Sequence, residues 1–222
     1  MTTQVIDCLG VVLAGGLSSR MGQDKSQLSR LKLNHQNKAG NSSASSEISM
    51  LDFSKQLLSD AGIKNIVVSG DNHQIPDRVP HSGPVGGIYS VLAHYLANSP
   101  EHLQPKALLI LPVDLPLMTA SDLAKLRLKG ELSQKATFFS DSQNQAHHIP
   151  LYLPNNAFLS LFLTQAFQRE QLLASHKKNN KNGPSVRAML NNIPHQSITS
   201  LSKRSLLNTN TPEQWQQAQQ QF

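Results

Sequence analysis

The chain has 222 residues, 38% of them apolar and 5% aromatic, enough for one sizeable domain with a core of Leu, Ile, Val and Ala. Its formal net charge is +6, yet the basic residues are scattered. The one cluster, Lys177, Lys178 and Lys181, is diluted by asparagines, and no zinc-finger spacing, RNP-like motif or basic helix accompanies it. Nucleic acid is thereby disfavoured and phosphate-bearing small molecules are favoured. No run approaches the roughly 18 apolar residues of a membrane span, so no membrane partner is expected.

In chain order, the first strand is expected at Leu9–Leu13. It follows Asp7 with no basic residue upstream, so it does not read as a leader. Cys8 is the single cysteine, which excludes an internal disulfide, agrees with a cytoplasmic setting and points to a packing role. Residues 29–46 are rich in Ser, Asn and Lys without periodicity, and are expected to form a mobile insertion in a single domain spanning 1–222. A helix resumes at Met50 and ends near Gly62, a suitable C′ glycine, before a strand at residues 66–69. Ile88, Val91, Leu92, Tyr95 and Leu96 keep helical spacing, and residues 107–111 form a continuous apolar run suited to a central strand. Thr119 and Asp122 form a capping box for the next helix, followed by a strand at Ala136–Ser140. Thr211, Pro212 and Gln214 occupy the N-cap, N1 and N3 positions of a terminal helix. Strands alternating with helices predict an α/β, Rossmann-like fold: a mostly parallel sheet with helices on both faces.

The strongest chemical signal runs from Leu13, Ala14, Gly15 and Gly16 through Arg20 to Asp24 and Lys25, directly after the first strand. Glycines let the backbone approach a triphosphate and present N–H groups to it, while Arg20 and Lys25 neutralise phosphate charge. The spacing matches neither a Walker A loop nor the dinucleotide-binding fingerprint. Asp114, bracketed by Pro112 and Pro116, lies past the carboxyl end of a central strand, where open α/β sheets bind ligands. A carboxylate there suits Mg²⁺. Gly83, Gly86 and Gly87 either let a base lie against the backbone or only make a tight turn into a helix. Asn210 is placed to orient a metal or an acceptor phosphate, and Asn208 to hold its loop.

Together these blocks resemble the molybdenum cofactor guanylyltransferases, the MobA family of a larger nucleotidyltransferase superfamily. The blocks LAGGLSSRMGQDK at 13–25, Asp77 with GPVGGI at 83–88, LPVDLP at 111–116 and NTNTPE at 208–213 follow in order across nearly the whole chain. The resemblance implies the fold of the nucleotide-diphospho-sugar transferases and a Mg²⁺-dependent transfer of GMP from GTP to the phosphate of molybdopterin or its molybdenum form. Arg20, Lys25 and Asp114 would be catalytic, with Asp114 the metal ligand. Leu13, Ala14, Gly15, Gly16, Lys25, Ser69, Asp77, Gly86 and Asp114 would bind nucleotide, Asp77 by accepting guanine N–H groups. Arg187, Asn208 and Asn210 would face the acceptor, and other molybdenum cofactor proteins would be partners. The chain departs from the family at Val113, where cysteine is usual, and at Ser69, where asparagine is usual. It also departs after Lys25, where the insertion replaces a G-x-P-L turn. His147 and His148, in a loose match to an H-P-L segment, read as solvated loop residues or acceptor contacts. A CTP- or UTP-dependent relative and a non-catalytic nucleotide- or partner-binding homologue are the alternatives.

Overall fold

The computed structural model describes residues 5–15, 24–32, 46–173, 183–200, 202 and 204–222. Gly16, Arg20 and the Lys177–Lys178–Lys181 cluster, all singled out above, lie outside the described residues. The chain runs β1 (Leu9–Leu13), β2 (Ser29–Lys32), β3 (Ser46–Ser49), α1 (Met50–Asp60), β4 (Asn65–Ser69), α2 (Gly83–Asn98) and β5 (Ala107–Pro112). It continues through α3 (Ala120–Ser133), β6 (Ala136–Ser140), β7 (Ala146–Pro154), α4 (Ala157–Leu173), α5 (Val186–Leu190), β8 (His195–Thr199) and α6 (Pro212–Gln219).

The six-stranded sheet has the order β4-β1-β5-β7-β6-β8. β1 pairs in parallel with β4 and β5, β6 pairs in parallel with β8, and β7 runs against both β5 and β6. The mostly parallel sheet expected from the sequence is therefore present. One core layer packs β1, β5 and Phe139 against α1, α3 and Trp215 of α6. The other packs Val11, Leu108, Phe138 and Leu151 against α2, α4 and α5. Covering on both faces accounts for the uninterrupted burial of β1 and of most of β5.

Local chemistry sets the boundaries. Ser49 caps α1 by accepting from the Asp52 amide, and Gly62 stands just past its end with φ +83. Thr211 and Gln214 form the reciprocal capping box of α6. At α3 the expected box is only half made. The Thr119 hydroxyl accepts from the Asp122 amide, but the Asp122 Oδ2 accepts from the Thr119 and Ser205 hydroxyls, each at 2.7 Å. Asp122 is buried, so its carboxylate answers the hydroxyl groups that reach it and not the helix terminus.

Two further expectations change. The ends of the insertion are not irregular: β2 and β3 pair antiparallel from Ser29↔Ser49 to Lys32↔Ser46. His147 and His148 are not in a loop but on β7, beside a register shift that falls between Phe138 and Phe139 of β6. Among the described residues no helix is long and apolar enough to cross a membrane.

Candidate active site

Leaving β1, the chain meets the end of β4. The Ala14 amide donates to the Ser69 carbonyl at 2.9 Å. The approach is close enough that a Cβ on Gly15 would stand 3.1 Å from the Gly70 Cα. A Cβ on Gly70 would stand 2.7 Å from the Gly15 nitrogen, and its φ of +151 also favours glycine. Gly70 is thus as necessary to this crossing as Gly15. Its signal in the sequence is a glycine immediately after a strand, and the motif blocks do not include it.

Asp77 stands beside the crossing, its Oδ2 3.5 Å from where a Gly15 Cβ would be and its Oδ1 3.8 Å from that of Gly87. Burial, and then the charge of Asp71, hold the Asp77 carboxyl above the usual aspartate range. Gly87 also faces Leu13 and the Ser69 hydroxyl. Gly86 points elsewhere, since a Cβ there would overlap the Ser82 side chain at the start of α2. Gly87 thus faces the crossing, while the α-carbon of Gly86 is turned to Ser82. Ser69 is 1% exposed and its hydroxyl turns to the Gly87 carbonyl at 3.4 Å, so it supports the floor of the site from below.

The second half of the site forms at the end of β5. Asp24 accepts the Ser26 amide at 2.9 Å and starts the short turn that presents Lys25. Lys25 Nζ then donates to Asp114 Oδ2 at 3.2 Å and to Asn210 Oδ1 at 2.5 Å. The Asp114 carbonyl accepts from the Thr209 amide at 2.9 Å and from the Thr209 hydroxyl at 3.2 Å. Burial holds the Asp114 carboxyl above the usual range, opposed by Lys25 and, more weakly, by the Asn208 side chain. Asp114 Oδ1 is buried without a hydrogen-bond partner among the described residues. Arg30 of β2 ties the root of the insertion to this loop. Its Nε donates to the Pro116 carbonyl at 2.9 Å while its guanidinium lies over the Phe53 and Phe222 rings, 4.1 and 4.7 Å from their centroids. Val113, in place of the family's cysteine, is buried in the core.

Beyond β5 lies β7. His148 tilts against Phe138 with ring centroids 5.2 Å apart, and His195 of β8 stands 6.2 Å from the same ring. Burial first, then Arg187, His147 and His195, hold the His148 imidazole below its usual range. Arg187 itself is exposed on α5. The structure therefore gathers Lys25, Asp114, Asn208 and Asn210 at one point, and Leu13, Ala14, Gly15, Ser69 and Asp77 at another. Arg187 lies close enough to His148 for its charge to act on that imidazole.

The family model of the MobA-like NTP transferase domain matches residues 10–179. The chain is 32% identical over 211 residues to a molybdenum cofactor guanylyltransferase of Xanthomonas euvesicatoria, covering 93% of this chain and 91% of that one. A crystal structure of molybdopterin-guanine dinucleotide biosynthesis protein A from Archaeoglobus fulgidus superposes with TM-score 0.60 at 15% identity, covering 96% and 97% of the two chains. That of 2-C-methyl-D-erythritol 4-phosphate cytidylyltransferase from Thermus thermophilus superposes with TM-score 0.52 at 11% identity, covering 96% and 97%. At such identities these two likenesses establish the fold alone.

Proposed function

The chain belongs to the MobA-like NTP transferase family, and from that membership we propose that it transfers GMP from GTP to the phosphate of a molybdopterin-type acceptor, releasing pyrophosphate. The observation that carries the reading is the Lys25 ammonium held between Asp114 and Asn210 at the carboxyl edge of the sheet. A second support is the relative named above, which matches this chain over nearly its full length.

Strand order orients the reaction. The close crossing of β1 and β4, with Asp77 beside it, accepts the base end of the nucleotide. Ionised Asp77 accepts two N–H groups from guanine, an arrangement adenine cannot offer. Gly15 and Gly16 amides and Arg20 hold the triphosphate. Lys25 follows the charge that accumulates on departing pyrophosphate. Because the nucleotide occupies the β4–β1 side, in-line attack at the α-phosphorus comes from the β5–β7 side. Asn208 and Asn210 orient the acceptor there, and Arg187 supplies positive charge to its anionic end. The attacking phosphate is already anionic at neutral pH, so positioning and charge neutralisation account for the catalysis without a general base.

Mg²⁺ fits the residues present: among the described residues Asp114 Oδ1 is a buried carboxylate oxygen lacking a hydrogen-bond partner, and Mg²⁺ commonly takes one or two carboxylates and completes its shell with phosphates and water. When bound, the ion would neutralise charge on the nucleotide phosphates. The single cysteine, Cys8, agrees with a cytoplasmic setting for the reaction.

Calorimetric titration of GTP, CTP, UTP and ATP with Mg²⁺ tests the proposal, on the wild type and on Asp114→Ala and Asp77→Asn. Selective GTP binding weakened by both substitutions, followed by transfer to molybdopterin, is expected. Preference for CTP or UTP would replace the substrate, and absence of nucleotide binding would overturn the enzyme reading.

A further inference from the structure

We propose that Gln214 is a positioning residue for this transfer, acting through Asn210 to set where the Lys25 ammonium stands; the inference rests on the function just proposed. A capping box requires only that the N3 side chain reach back to the N-cap amide. Gln214 Oε1 does more. It accepts from the Thr211 amide at 3.2 Å and, more closely, from the Asn210 amide at 2.7 Å. Asn210 is the residue whose Oδ1 takes Lys25.

Gln214 is itself held firmly. Its amide donates to the Thr211 hydroxyl at 3.3 Å, and the next residue, Trp215, is buried in the core together with Ala218. One residue before Asn210, both the amide and the hydroxyl of Thr209 are anchored on the Asp114 carbonyl. The segment is therefore pinned at one end to the loop that carries Asp114 and at the other to α6. Between the two pins, the Asn210 side chain points into the site. Lysine has a flexible four-carbon stem, so a second acceptor beside Asp114 restricts it far more than the ion pair alone. Removing Gln214 Oε1 leaves the Asn210 amide unpaired and frees that acceptor to drift.

Residue-resolved lysine labelling, read by mass spectrometry on the protein without substrate, reports Lys25 directly. Gln214→Leu should raise Lys25 labelling severalfold, while Lys106, exposed and paired with Asp7, stays unchanged as the control. Gln214→Glu keeps an oxygen that accepts from both N–H groups and should restore the wild-type pattern. In the transfer assay Gln214→Leu should lower kcat by about tenfold or more, in line with the cost of small misplacements, with little change in the KM for GTP. If Gln214→Leu does not fold, Asn210→Ala removes the same acceptor without touching the cap and should give the same rise at Lys25. Unchanged Lys25 labelling in the folded variants overturns the proposal, as does increased labelling with undiminished kcat. Labelling needs no nucleotide, so a protein that transfers no GMP yet shows the Gln214-dependent change would refute the proposed function and leave the link from Gln214 to Lys25 standing.

Discussion

Lys25→Met removes the cation that faces Asp114 and puts an apolar chain of similar length in its place. At 3.2 Å, and with an effective dielectric of about 20, the gross attraction is about 5 kcal/mol. Both side chains are only 16% exposed, so part of that attraction is already spent on desolvation. Removing one partner of a fully buried pair costs about 3–5 kcal/mol; here residual exposure and the neutral Asn210 should leave about 2–3 kcal/mol at pH 8. The loss depends on pH in a definite sense. Burial already raises the Asp114 carboxyl in the folded protein, and removing Lys25 raises it further. The penalty is complete where Asp114 is ionised in both folded and unfolded chains. It shrinks as pH falls through the raised folded value, because the folded protein then takes up a proton that the unfolded chain does not. Asp114→Asn should cost less, about 1 kcal/mol, because it removes the buried charge itself. Adding Lys25→Met to it should cost little more. Urea unfolding of the four proteins at pH 8 and pH 5 measures all of this. Additive effects of the two substitutions, or a Lys25→Met loss equal at both pH values, would refute the ion pair as drawn here.

Gly130→Ala should destabilise the protein although alanine is the better helix former by about 1 kcal/mol. The added Cβ would overlap the Tyr152 ring of β7, and overpacking of about 1–3 kcal/mol or more should win; a lowered melting temperature checks it. Because burial, and then Asp71, raise the Asp77 carboxyl above the usual aspartate range, GTP affinity should begin to fall at a higher pH on the acid side than with an ordinary aspartate. Asp71→Asn removes the second cause, favours the ionised carboxylate and should move that limb to lower pH in calorimetric titrations. Burial pushes the Cys8 thiol up to about 12, so a thiol reagent at pH 8 should react only after urea unfolds the chain; rapid reaction in the native state would contradict the packing role.

The parts of this fold that could be read from the chain are those whose signals are local. β1 and β5 are buried on both faces and appear as uninterrupted apolar runs. α3 and α6 begin at Thr119 and Thr211, whose hydroxyls cap the helices within three residues. β7 and β8 were not legible for equally physical reasons. β7 contains Pro150 at its irregularity, and a proline inside a strand pattern argues against the strand. β8, His195–Thr199, lies at the sheet edge with alternate residues exposed, so its polar composition resembles a loop. β2 and β3 flank the insertion with Ser, Arg, Lys and Glu, and no apolar alternation announces them.

The site divides along the same line. Lys25, Asp114 and Asn210 could each be listed from its own motif, but residues 25 and 210 are 185 positions apart, and no local pattern predicts that an ammonium there is shared with an amide. Their meeting is a consequence of topology. β1 lies beside β5 in the sheet, so the turn after the first strand and the loop after the fifth open at the same edge. The Thr209 amide and hydroxyl then close on the Asp114 carbonyl, bringing Asn210 of the terminal segment to Lys25. Motif spacing could name Lys25 and Asp114 separately; only the register of the parallel strands decides that the two hold each other. An arrangement assembled this way depends on residues behind it, Gly70 against Gly15 and Gln214 behind Asn210 among them.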